Sequence, residues 1–154
     1  NYKFVESPLG KILLRASAKG LSGLWFEGEV LSKISGEWQQ ADCLILSKAE
    51  HAVKEYFLGK VPKLDFEFDI EGSEFERQVW RELINIPYGA TTSYGRVAEA
   101  INQPKAYRAV ATAIGKNPIS ILIPCHRVLN SKGELAGYAG GLDRKAYLLN
   151  LEKD

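Results

Sequence analysis

Around residues 70–72 the spacing of apolar residues changes, and the change requires two different kinds of packing within one chain. Before it, short extended runs alternate with turn residues: Lys3 to Ser7, a Pro8-Leu9-Gly10 turn, Lys11 to Ala18, Lys19-Gly20, then Leu21 to Phe26. Such a pattern predicts antiparallel hairpins. Leu44 to Leu58 instead carries Leu44, Ala49, Ala52, Val53, Tyr56 and Phe57 at helical spacing and stops at Gly59, which predicts one helix against that sheet. Leu64, Phe66, Phe68 and Ile70 alternate with polar and acidic residues, the period of a strand with one solvated face. A domain boundary is therefore expected at residues 70–72, giving an N-terminal α+β domain over 1–71 and a mainly helical domain over 72–154.

The second part opens with Ser73-x-x-Glu76, a capping box, followed by Phe75, Val79, Trp80, Leu83 and Ile84 until Pro87. A helix from Ser93 and a third from about Lys105 to Ile114 flank Asn102-Gln103-Pro104, the arrangement of a helix-turn-helix. Ile119 to Ile123 reads as a buried apolar segment, and Leu142 to Leu151 as a closing helix. On the third helix Ala106, Ala109, Val110, Ala113 and Ile114 are expected to pack inward, leaving Arg108, Ala111, Thr112 and Gly115 outside. Major-groove readers display long polar side chains that reach base edges, and this face has one. It suits close, sequence-tolerant approach to a minor groove, with Arg108 projecting into the stack. Two core helices with a solvated Arg108 would produce the same pattern.

Composition excludes several classes. No apolar run approaches the roughly 18 residues of a membrane span, and residues 1–10 lack signal-peptide chemistry, so a cytoplasmic, non-membrane protein is expected. The two cysteines, Cys43 and Cys125, are too few for a disulfide framework, and with two histidines and no Cys-x-x-Cys no metal site is expected. Net charge is only +1. It is uneven, however, at −2 over residues 1–72 and +3 over 73–154, so a polyanion would meet the second half.

Cys125 follows the apolar segment, with Pro124 before it and His126 after it. A free thiol has a pKa of about 8.5, so an adjacent base is needed to raise the reactive thiolate fraction. His126 is the candidate base. Neighbours in an extended chain point to opposite sides, so a bridging water is expected between them, with Glu152 from the closing helix orienting the imidazole.

The run Ile121-Leu122-Ile123-Pro124-Cys125-His126-Arg127-Val128 resembles the active-site signature of the O6-alkylguanine-DNA alkyltransferases, also called methylated-DNA-protein-cysteine methyltransferases. The resemblance continues through Tyr94-Gly95-Arg96-Val97-Ala98, Arg108-Ala109-Val110, Gly115-Lys116-Asn117-Pro118 and Gly137-Tyr138-Ala139-Gly140-Gly141-Leu142, covering Ser73 to Glu152 closely. Ser7-Pro8-Leu9-Gly10 and Gly23-Leu24-Trp25-Phe26 resemble the family's bacterial members more loosely. It implies an α+β fold whose N-terminal antiparallel sheet and helix are ribonuclease-H-like, and a relay of Cys125, His126 through water, and Glu152. Tyr94 would crowd the target phosphate and assist proton transfer to the leaving guanine. Arg108 would replace the everted base, with Ala106, Ala109 and Thr112 also on the DNA. Asn117 would be the hinge joining recognition helix to active site. The carbonyls of Cys125 and Val128 would contact guanine, and Tyr138, Ala139 and Gly140 would wall the alkyl group.

The implied reaction is a stoichiometric, irreversible transfer from O6-alkylguanine, and from O4-alkylthymine, in double-stranded DNA. No cofactor is expected, sequence preference should be slight, and the protein should act as a monomer. Where some relatives have a serine, this chain has Ala139, so any O6 contact there must come from backbone. The alternative, a non-catalytic protein binding the alkylated base, carries a different residue at the cysteine position.

Overall fold

The computed structural model describes residues 1–27, 38–130, 132–133 and 141–153. The chain divides into two compact units, Asn1–Glu71 and Gly72–Asp154.

In the first unit, β1 (Tyr2–Ser7), β2 (Gly10–Ala16) and β3 (Leu21–Phe26) form an antiparallel sheet in the order β1-β2-β3. Ser7 faces Gly10 across the first turn, where Gly10 takes a φ of 98° that a side chain would strain. Helix α1 (Leu44–Phe57) packs Leu46, Ala49, Ala52, Val53 and Tyr56 toward the sheet residues Ile12, Leu14 and Leu24 of the core. The alternating segment Leu64 to Ile70 is not a strand. It meets the sheet at a single bridge, Leu21 to Phe68, made by Leu21 N–H to the Glu67 carbonyl (2.9 Å) and Asp69 N–H to the Leu21 carbonyl (2.8 Å). The period-two pattern reports extended backbone, and Phe66 and Phe68 do share a side, their rings 5.8 Å apart edge to face. Extended backbone becomes a strand only where a partner continues the ladder, and among the described residues none does beyond Leu21.

The second unit is mainly helical. Helix α2 (Glu74–Ile84) begins with the capping box in full: Glu76 N–H donates to Ser73 Oγ (3.1 Å) and Ser73 N–H to Glu76 Oε1 (2.9 Å). Its buried face, Val79, Trp80 and Leu83, meets the helices that follow, and Trp80 Nε1–H donates to the Ala113 carbonyl at 2.9 Å. Strand β4 (Thr92–Ser93) runs directly into α3 (Tyr94–Ala100), where Ser93 Oγ accepts from Arg96 N–H. Residues 101–106 lead to α4 (Tyr107–Gly115), two residues later than the apolar spacing predicts because Ala106 is still a non-helical cap. Strand β5 (Val128–Leu129) pairs in parallel with β4, Thr92 against Val128, and α5 (Leu142–Glu152) closes the chain.

The α4 stripe is narrower than expected. Val110, Ala113 and Ile114 are buried, whereas Ala109 is exposed and Ala106 half-buried. Ala109 precedes Val110 by one residue, about 100° around the helix, which turns it away from the buried face of Val110, Ala113 and Ile114. The Ile119 to Ile123 segment is buried as expected but folds as successive turns, with Ile121 at a φ of 71°.

Candidate active site

Cys125, His126 and Arg127 form a single 3-10 turn, not an extended segment. Pro124 supplies no N–H, and its carbonyl accepts from Arg127 N–H at 3.1 Å, which closes the turn. All three side chains are buried, His126 completely. The turn is held from both ends. Upstream, Asn117 bridges the loop with two buried hydrogen bonds, Nδ2–H to the Ile123 carbonyl (2.8 Å) and Ile119 N–H to Oδ1 (3.0 Å). Downstream, β5 pairs with β4, so the residue that opens α3, Tyr94, is delivered beside the turn that carries Cys125.

Helix α5 presents Lys145, Leu148 and Glu152 on one buried stripe at i, i+3 and i+7. Glu152 is the centre of a charged network. Its Oε2 pairs with His126 Nε2, and its Oε1 accepts from Arg127 Nε (2.7 Å) and from Gly89 N–H (3.1 Å). Arg127 Nη1 also donates to the Ile86 carbonyl (2.7 Å), and the guanidinium lies 5.6 Å from the Tyr88 ring centre. With Nε2 engaged by the carboxylate, the second ring nitrogen is Nδ1.

Electrostatics agree with this geometry. Burial, the largest effect, holds the His126 imidazole below its ordinary 6.5; Glu152 opposes it, and the Arg127 and Lys145 cations reinforce it. Burial likewise lowers Lys145 from 10.5, with the negative charge of Cys125 opposing. The half-buried Tyr94 phenol is raised above 10.0 by burial first and by Cys125 second, so Tyr94 and Lys145 both stand within electrostatic reach of Cys125.

Of the other expected site residues, Arg108 and Thr112 are exposed on α4. Thr112 Oγ1 donates to the Arg108 carbonyl (3.1 Å), and Arg108 extends over the Tyr107 ring at 5.9 Å. Val128 is buried in β5. Tyr138, Ala139 and Gly140 lie outside the described residues. Among the described residues no group of His, Cys, Asp and Glu side chains could hold a metal ion, and no helix is long and apolar enough to cross a membrane. Sequence reasoning passed over Arg127 and Lys145. The signal for Lys145 was present: a lysine on the core-facing stripe of an amphipathic helix, one stripe position from Leu148, requires a local partner.

Residues 74–154 match the family described as 6-O-methylguanine DNA methyltransferase, DNA binding domain, and residues 1–70 match its ribonuclease-like domain. The chain is 44% identical to a methylated-DNA–protein-cysteine methyltransferase of Methanosarcina barkeri, over 99% of this chain and 97% of that one. It is 43% identical to the protein of the same name from Mycolicibacterium paratuberculosis, over 99% and 92%. In structure it resembles Mycobacterium tuberculosis OGT in complex with DNA, with a TM-score of 0.88 and 41% identity over 99% of this chain and 92% of that one. An O6-methylguanine DNA methyltransferase from Methanococcus jannaschii matches with a TM-score of 0.72 and 28% identity over 97% and 92%. A thiol, an imidazole and a carboxylate in one buried cluster, in a chain matched end to end by such proteins, belong to a member of the methylated-DNA–protein-cysteine methyltransferase family.

Proposed function

We propose that the protein repairs DNA by moving the alkyl group from O6 of guanine, and from O4 of thymine, on to Cys125 Sγ, in one irreversible transfer per molecule. The observation that carries this reading is the buried pairing of His126 with Glu152 directly beside Cys125 in one 3-10 turn. His126 Nδ1 takes the Cys125 proton through a water, while Glu152 holds the proton on Nε2 and stabilises the imidazolium. The thiolate attacks the alkyl carbon, a carbon–sulfur bond forms as the carbon–O6 bond breaks, and the guanine leaves with the electron pair. Tyr94 crowds the target phosphate and assists protonation of the leaving base. The product is a thioether, which no ordinary thiol reverses. Cys43 belongs to the first unit, so no resolving cysteine is assigned.

O6 lies inside the base stack, so the nucleotide must be turned out, at a cost of a few kcal/mol. We assign that work to α3 and α4 acting as a helix-turn-helix in the minor groove. The small exposed residues Ala109 and Thr112, with the half-buried Ala106, let the backbone approach, and Arg108 fills the vacated space. Such contacts read groove width and backbone, so sequence preference is slight. Asn117 ties α4 to the reactive turn, and the Cys125 and Val128 carbonyls contact guanine. The protein works as a monomer in the cytoplasm.

Intact-mass measurement after mixing with an O6-methylguanine duplex tests the reading. The protein should gain one methyl group on the peptide containing Cys125, and Cys125→Ala should bind the duplex without gaining it. An unchanged mass with DNA bound would mean capture of the base without chemistry, and methyl acceptance by Cys125→Ala would refute the site.

A further inference from the structure

Arg127 is used by nothing in the transfer itself, yet it is buried and holds partners on two different elements. Its guanidinium makes two 2.7 Å hydrogen bonds in different directions, to Glu152 Oε1 on α5 and to the Ile86 carbonyl. Gly89 N–H, from the same segment as Ile86, shares Oε1. That segment leads through β4 into Tyr94. A buried ion pair is weak evidence of a stability role, because desolvation cancels much of its attraction. A fork that fixes two separate elements is better explained by orientation.

Building on the alkyl-transfer reading, we propose that Arg127 is a positioning residue which acts through Glu152: one guanidinium sets the carboxylate against His126 and anchors the 86–89 segment that delivers Tyr94. Its charge has a second consequence. Among the described residues the charged and titratable groups around His126 are Glu152 and Lys145 from α5 and Cys125 and Arg127 from its own turn, with Tyr94 of α3 facing Cys125 and Tyr88 of the 86–89 segment facing Arg127. An ionised Glu152 without Arg127 would be balanced chiefly by His126, favouring an imidazolium at rest. An imidazolium cannot accept the Cys125 proton. Arg127 therefore keeps Glu152 ionised and His126 neutral together, the combination a resting base requires.

The test follows transfer of a benzyl group from free O6-benzylguanine to Cys125 across pH, which needs neither DNA nor base flipping. Arg127→Gln should transfer on the order of tenfold to a hundredfold more slowly near neutrality, and the acid limb of its rate profile should move to higher pH. Arg127→Lys keeps the charge and loses the fork, so its acid limb should stay at the wild-type position while its rate falls to between those of the other two. A folded Gln variant with an unshifted acid limb, or a Lys variant with the wild-type rate, overturns the proposal. The Lys outcome decides alone if the Gln variant does not fold. Wild-type protein that takes no benzyl group would sink the alkyl-transfer reading and this one with it, whereas normal wild-type transfer with unmoved variants sinks only the role of Arg127.

Discussion

Replacing Asn117 by alanine removes two buried hydrogen bonds that are not equivalent. The Ile123 carbonyl loses Asn117 Nδ2–H but keeps Cys125 N–H, which donates to it at 2.7 Å. Its loss is an ordinary bond, about 0.5–1.5 kcal/mol. Ile119 N–H has Asn117 Oδ1 as its acceptor in a buried loop, and orphaning it costs about 1–3 kcal/mol. Together the Asn117→Ala protein should be less stable by about 1.5–4.5 kcal/mol, the small side chain adding little cavity. For a unit the size of Gly72–Asp154 that is a fall in Tm of roughly 6–36 °C. Urea unfolding read by circular dichroism and by the fluorescence of Trp80, which donates to the Ala113 carbonyl of α4, measures it. Asn117→Asp adds a sign. The protonated acid can still donate to the Ile123 carbonyl, whereas the carboxylate cannot, so burial raises its folded pKa above the unfolded one. Stability should then be present at acid pH and lost as pH rises through that raised value. An Asn117→Ala protein within about 0.5 kcal/mol of wild type would refute the accounting, as would an Asp variant indifferent to pH.

Three further outcomes follow from single contacts. Trp80→Phe loses the bond to the Ala113 carbonyl, which keeps Lys116 N–H, together with part of a fully buried indole; the expected cost is about 1.5–3 kcal/mol in the same urea assay. His126 has a folded pKa lowered from 6.5, so the unfolded chain binds its proton first as the medium is acidified. Its contribution to stability is complete above about pH 6.5 and is lost as pH falls from there through the lower folded value; His126→Gln should flatten that stretch of the stability profile. Arg108→Ala should slow transfer from an O6-methylguanine duplex by on the order of tenfold or more while leaving the rate with free O6-benzylguanine within twofold, and equal losses would remove the finger role.

What could be read in advance divides along physical lines. Local chemistry was legible: a capping box needs only Ser73 and Glu76 at the right spacing, and α1, α2 and α5 follow from apolar period alone. Features that depend on a partner were not. The Leu64 to Ile70 segment has the alternation of a strand but meets the sheet at a single residue, a fact held in β3 and not in the segment. Ala109 has the character of a core residue, yet it is exposed, because the buried face of α4 is the narrower one of Val110, Ala113 and Ile114. The reactive turn makes the same point more sharply. An extended reading of Cys125-His126 required the two side chains to diverge, yet a 3-10 turn is formed by pairing the Pro124 carbonyl with Arg127 N–H. That turn also carries Arg127 round to Glu152, twenty-five positions along the chain. A motif places an imidazole and a guanidinium side by side. Only the closing helix determines that they converge on one carboxylate, His126 Nε2 on Oε2 and Arg127 Nε on Oε1 of the buried Glu152.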